Sequence, residues 1–159
     1  MDVTSRHHLR SDEIDELAAS LADHLGVDLE GEEFERVEFA DVDREVVLVD
    51  GEPLVASFDG DRFLTVRGAN AFPPDHHVVT VDSGAISFVS DGANVMRPGI
   101  VDATDDIEPG DLVVVVEENH GKALAVARAE THGEDMLGDA GKVVENLHHV
   151  GDDLYEFHV

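Results

Sequence analysis

Between Ser11 and Gly26 the apolar residues Ile14, Leu17, Ala18, Leu21 and Leu25 recur at intervals of three and four, the spacing of one helical face. Ser11 stands where a helix start needs a cap, Asp12 and Glu13 suit the positive end of the helix dipole, and Gly26 stops the run. The pattern then changes to that of strands. Residues 35–42 (ERVEFADV), 45–50 (EVVLVD), 54–58 (LVASF) and 62–66 (RFLTV) read as four of them, with Asp50-Gly51 and Asp59-Gly60 as hairpin turns. A helix followed by antiparallel strands predicts a small α/β unit. Two adjacent prolines, Pro73-Pro74, cannot continue a strand ladder, so the boundary falls there, dividing the chain into 1–73 and 74–159.

Beyond the prolines the apolar runs are short and evenly spaced. HVVTVD (77–82), GIVDATD (99–105), LVVVVEE (112–118), ALAVARAE (123–130), KVVENLHHV (142–150) and DLYEFHV (153–159) read as strands, with small helices after Asp82 and at HGEDML (132–137). Glu108-Pro109-Gly110-Asp111 fits a type II turn and Asn119-His120-Gly121-Lys122 a hairpin loop. Strands of this length and spacing predict a partly closed barrel. The fold class is therefore α+β, a small α/β domain followed by a pseudo-barrel of mostly antiparallel strands.

Charge changes the picture. There are 37 acids against 10 lysines and arginines, a formal charge of -27, and the only lysines are Lys122 and Lys142. The acids are spread through every segment. Such a surface suits a cytoplasm of molar potassium, where the Debye length is about 3 Å and self-repulsion is screened. On this halophilic reading, acidity does not rule out an RNA partner. No apolar run approaches the roughly 18 residues of a membrane span, and the first ten residues hold no signal-peptide core. A cytoplasmic monomer with no membrane contact is expected.

Catalytic and metal chemistry find no support. With no cysteine, disulfides, zinc–thiolate sites and thiol nucleophiles are absent. The ten histidines include the pairs His7-His8, His76-His77 and His148-His149, but neighbours on a strand point to opposite faces, and no HxxxH or HExxH motif occurs. Nucleophile-elbow, P-loop and dinucleotide-binding motifs are also missing. No enzyme activity, metal or cofactor is expected. One tyrosine and no tryptophan exclude a broad aromatic platform of the RNA-recognition-motif kind.

One stretch departs from the general acidity. SGAISFVSDGANVMRPGIV, residues 83–101, carries a single acid, Asp91. Together with IEPGDLVVVV (107–116) and ALAVARAE (123–130), it resembles the PUA domain, an RNA-binding pseudo-barrel. VDGEPLVASF (49–58) before it and VVENLHHVGDDLY (143–155) after it extend the likeness to nearly the whole chain. The family resembled is that of the malignant T-cell-amplified-sequence proteins and their archaeal relatives, in which an N-terminal α/β domain precedes a PUA domain. Ser87 stands where such relatives often carry lysine.

The resemblance implies a non-enzymatic factor bound to structured RNA, either tRNA or ribosomal RNA of the small subunit. Its role would lie in translation initiation or subunit recycling, with a translation-factor protein docked on the N-terminal domain. PUA modules also serve as accessory subunits that present RNA to a tRNA- or rRNA-modifying enzyme, which is the alternative. Within 83–101, Ser83, Gly84 and Ala85 begin a short helix whose N–H groups suit a phosphate, with Gly84 admitting a close backbone approach. Arg97 adds a charge-assisted contact, and Lys122, Arg128 and Lys142 are the other cations of this half. Asn94 holds a turn or touches RNA. Asn146 and His148 lie on one face of a strand able to meet bases. Ile86, Phe88, Val89, Val95 and Met96 are expected in the core.

Overall fold

The computed structural model describes all 159 residues. Its first half contains β1 (Val3–His8), α1 (Ser11–Leu25), β2 (Phe34–Phe39), β3 (Glu45–Val49), β4 (Glu52–Phe58), β5 (Asp61–Leu64) and α2 (Val66–Ala71). The five strands lie side by side in chain order, every neighbouring pair antiparallel. Asp50 and Gly51 (φ 51° and 85°) and Asp59 and Gly60 (φ 53° and 90°) make the two hairpin turns with left-handed backbone, as their sequence demands.

Three features of this half depart from the sequence reading. β1 has no buried residue and so no apolar alternation; it is held by its ladder to β2 and by a two-pronged ion pair between Arg6 and Glu35. Ser11 is the first helical residue of α1 and Arg10 is the cap, its N–H donating to Glu13 at 3.3 Å. Thr65 and Val66 do not extend β5. The Thr65 hydroxyl accepts the Gly68 N–H at 3.0 Å and donates to Pro53 O at 2.8 Å, which turns the chain into α2.

The Pro73-Pro74 segment folds back on α1. Asp75 N–H donates to Leu25 O at 2.9 Å and His77 Nδ1 reaches His24 O at 2.9 Å, satisfying carbonyls that a helix end leaves without partners.

The second half runs through β6 (Val78–Val81), a 3-10 turn (Ser83–Ala85), α3 (Ile86–Ser90), β7 (Val95–Met96), a second 3-10 turn (Arg97–Gly99) and β8 (Ile100–Ala103). It continues with β9 (Leu112–Glu117), β10 (Ala123–Ala129), a third 3-10 turn (Gly133–Asp135), β11 (Lys142–His149) and α4 (Asp153–Glu156). The strand order is β7-β11-β10-β9-β6-β8, antiparallel except for β6 beside β9, and the sheet curls into a nearly closed pseudo-barrel. Residues 153–159 are not a strand, because the Asp152 carboxylate accepts the Tyr155 N–H at 2.9 Å and caps α4.

The two sheets share a core. The larger cluster of 27 buried residues joins Leu17, Leu21 and Leu25 of α1 and the inner strands β3 and β4 to Leu112, Val114, Ala123, Val126, Leu154 and Phe157 of the second half. A separate cluster of 15 fills the barrel. Separating 74–159 from 1–73 would therefore expose several side chains, each worth about 1.5–3 kcal/mol when fully buried.

Candidate nucleic-acid interface

The acid-poor stretch 83–101 lies largely on the surface. Only Val89, Val95 and Ile100 within it are buried; Phe88 is 67% and Met96 48% exposed. Phe88 and Met96 are thus not core residues, against expectation. In β7 the alternation sends Val95 inward and Met96 outward, and Phe88 occupies the outer side of α3. Burial does not explain the missing carboxylates.

The start of the short helix differs from the phosphate cradle expected there. Asp82 caps it, its Oδ1 accepting the Ala85 N–H at 3.0 Å, so a carboxylate already occupies the donor end. No backbone approaches Gly84 either; the nearest atom to an added Cβ would be Asp82 Oδ1 at 3.4 Å. Close backbone approach occurs instead at Gly68, where an added Cβ would lie 2.0 Å from Leu54 O.

The structure divides the other candidates. Ser83 meets the β9–β10 loop, Asn119 Nδ2 donating to its hydroxyl at 2.9 Å, and Lys122 projects from that loop, which the Glu117 carboxylate closes by accepting the His120 and Lys122 N–H groups. Those N–H donors, opposed by partial burial, hold the Glu117 carboxyl below its usual range. Asn94 and Asn146 join α3 to β11: Asn146 N–H donates to Asn94 Oδ1 at 3.0 Å, and Asn146 Nδ2 donates to Val89 O and Ala93 O, each at 3.1 Å. Arg97 braces the loop before β11, donating to Asp135 O at 3.0 Å and Ala140 O at 3.1 Å. Lys142 is paired with Glu130 at 2.9 Å.

Two candidates lie elsewhere. Arg128 spans the halves, donating to Gly110 O at 2.7 Å and Phe58 O at 3.4 Å with Asp59 at 3.5 Å; it borders a cleft of about 430 Å³ between α1, β5 and the β8–β9 turn. His148 is 0% exposed and so cannot meet a base. Its Nε2 accepts the Val66 N–H at 3.1 Å, its Nδ1 lies 2.9 Å from both oxygens of Asp152, and its ring stacks on Phe58 with centroids 6.0 Å apart. Both tie the two halves together, Arg128 through Phe58 and His148 through Val66, partners too distant in sequence to be visible there.

Most cations are already engaged. Beyond those just described, Arg6, Arg10, Arg36 and Arg62 form ion pairs with carboxylates, and Arg44 and Arg67 lie over the rings of Phe58 and Tyr155. Lys122 alone keeps an ammonium with no partner. The face around α3 is hence acid-poor rather than basic.

A pseudo-barrel of this strand order with a short helix after its first strand defines a PUA domain, and the PUA-domain family model matches residues 77–151. An uncharacterized protein of Methanocaldococcus jannaschii is 44% identical over 116 residues, covering 72% of each chain. Translation machinery-associated protein 20 of Saccharomyces cerevisiae is 36% identical over 118 residues, covering 70% of this chain and 65% of the yeast protein. The crystal structure of a hypothetical protein from Pyrococcus horikoshii superposes with a TM-score of 0.82 at 31% identity, covering 96% of this chain and 98% of that one. The chain belongs to the PUA-domain family that includes these proteins and malignant T-cell-amplified sequence 1.

Proposed function

We propose that this protein is a non-enzymatic RNA-binding factor acting on the small ribosomal subunit or on tRNA, in translation initiation or subunit recycling. The observation that carries this reading is the exposed, acid-poor face of residues 83–101 on a PUA domain, in a chain of net charge -27. The name of the yeast relative, a translation machinery-associated protein, supports the setting. Residues 74–159 read the RNA, with Ser83, Gly84, Asn94 and Lys122 at the surface and Asn146 holding Asn94 in place. Residues 1–73 dock a protein partner, and the work is done in the cytoplasm.

Co-sedimentation tests it. In concentrated potassium chloride the full chain is expected to travel with small ribosomal subunits and not with large ones. Absence from the small-subunit fraction, with co-purification of an RNA-modifying enzyme instead, would favour an RNA-presenting subunit.

The same proposal treats the acid surplus as salt adaptation. Circular dichroism is expected to show loss of structure as potassium chloride falls from molar to about 0.1 M, where the Debye length grows to about 10 Å and the carboxylates repel one another. Equal stability at both ends would remove the halophilic reading.

A further inference from the structure

Phe88 is the one exposed phenylalanine or tyrosine on a chain with seven phenylalanines, one tyrosine and no tryptophan. Neither another aromatic ring nor a cation covers it, whereas Phe39, Phe58 and Tyr155 all have such partners. Resting on the RNA-binding reading above, we infer that Phe88 is the stacking surface for an unpaired nucleobase. The RNA bound is accordingly one that offers a single-stranded tail or an extruded loop base, not the shaft of a duplex.

Charge decides between a base and a phosphate. A chain at -27, with one unpartnered ammonium, repels a phosphate backbone and has almost nothing to hold it with. In molar salt, phosphate contacts weaken further through counterion effects. Stacking acts at contact distance, barely depends on screening, and accepts any base, since each has a π-face. Asp91, on the turn leaving α3, and Glu145 on β11 are exposed acids of this region, and they disfavour a phosphate track more than a neutral base.

The surroundings supply edge contacts. The Phe88 carbonyl accepts the Ala93 N–H at 3.0 Å, which folds the 91–93 turn back on the end of α3, with the exposed Asn94 next in the chain. Asn94 spends its Oδ1 on the Asn146 N–H, leaving its exposed amide NH₂ to donate to a base acceptor. The exposed Ser87 hydroxyl, one residue before Phe88, is a second group without a partner.

The test uses the full chain in molar potassium chloride and two RNA hairpins, one blunt and one with an unpaired tail, read by fluorescence anisotropy. The tailed hairpin is expected to bind at least tenfold more tightly than the blunt one. Phe88→Ala and Phe88→Leu should each weaken it about tenfold, the effect of removing one stacked base. Phe88→Trp should retain affinity, and its indole, the only one in the chain, should be quenched by the tailed RNA. The slope of log K against log salt should be shallow, about -1 to -2 for one or two phosphates. If Phe88→Leu binds like the parent, or the two hairpins bind alike, or the indole is not quenched, stacking is wrong while RNA binding stands. If neither hairpin binds the parent, both readings fall. If Phe88→Ala leaves hairpin binding intact but abolishes co-sedimentation with small subunits, the ring contacts protein and the inference is overturned.

Discussion

Gly68→Ala is expected to destabilise the fold by roughly 3 kcal/mol, the upper part of the usual range for forcing atoms into a packed site. Helix propensity predicts the opposite, since alanine in a helix interior is better than glycine by about 1 kcal/mol. Packing wins because α2 lies directly on β4. A Cβ at this position would meet Leu54 O at 2.0 Å, the Leu54 carbonyl carbon at 2.9 Å and Leu64 Cδ2 at 3.1 Å. The obstructing carbonyl has little freedom to withdraw: it accepts the Thr65 N–H at 3.0 Å, and the Thr65 hydroxyl is bonded to Pro53 O next door. Denaturant unfolding in molar potassium chloride measures the change. A variant as stable as the parent would show that α2 can lift from β4 at little cost.

His148→Phe is expected to cost about 3 kcal/mol at neutral pH, because the Val66 N–H and the Asp152 carboxylate each lose a partner in a site where unmade hydrogen bonds cost about 1–3 kcal/mol apiece. The ring's stacking on Phe58 survives the change, so the loss reports on the hydrogen bonds. The same geometry sets an acid sensitivity. With Nε2 accepting from Val66 and Nδ1–H donating to Asp152, the imidazole is held neutral. Burial pushes its pKa below the ordinary value of 6.5, against the pull of Asp152. The unfolded chain thus binds the proton more readily, so His148 contributes stability that is complete above pH 6.5 and declines as pH falls below it. Burial raises the Asp152 carboxyl, but hydrogen bonds from His148, Tyr155 and His149 outweigh it and hold the group at about 2, against an ordinary 3.8. Its contribution is present above pH 3.8 and is lost between there and about 2. Unfolding free energies of the parent should therefore fall in two steps on acidification, and His148→Phe should flatten the first. Parallel pH profiles for the two proteins would contradict this placement of the proton.

Local chemistry was legible in the sequence and long-range ties were not. Ile14 to Leu25 announced α1 through spacing alone, and the two Asp-Gly turns announced their hairpins, since both signals lie within a few residues. β1 was hidden because its residues are exposed on both faces and it depends on β2. Thr65-Val66 looked like a strand end and residues 153–159 like a strand because β-branched or apolar neighbours masked the capping side chains of Thr65 and Asp152. The surface on 83–101 was visible as a lack of acids, but Phe88 and Met96 read as core, since exposure of an apolar side chain leaves no mark in periodicity. Arg128 and His148 looked like ligand contacts for a related reason. Their partners Phe58 and Val66 lie 70 and 82 positions away, and only the folded chain brings them together.

The central claim is that RNA meets the acid-poor face built from residues 83–101 and the neighbouring β11. Photo-crosslinking of the full chain to small ribosomal subunits in concentrated potassium chloride, followed by mass spectrometry of the crosslinked peptides, tests it most directly. Nucleotide adducts are expected on peptides covering residues 83–101, centred on Phe88, with weaker ones on the loop carrying Lys122. Adducts confined to α1 or to the first sheet, with none on residues 83–101, would contradict it.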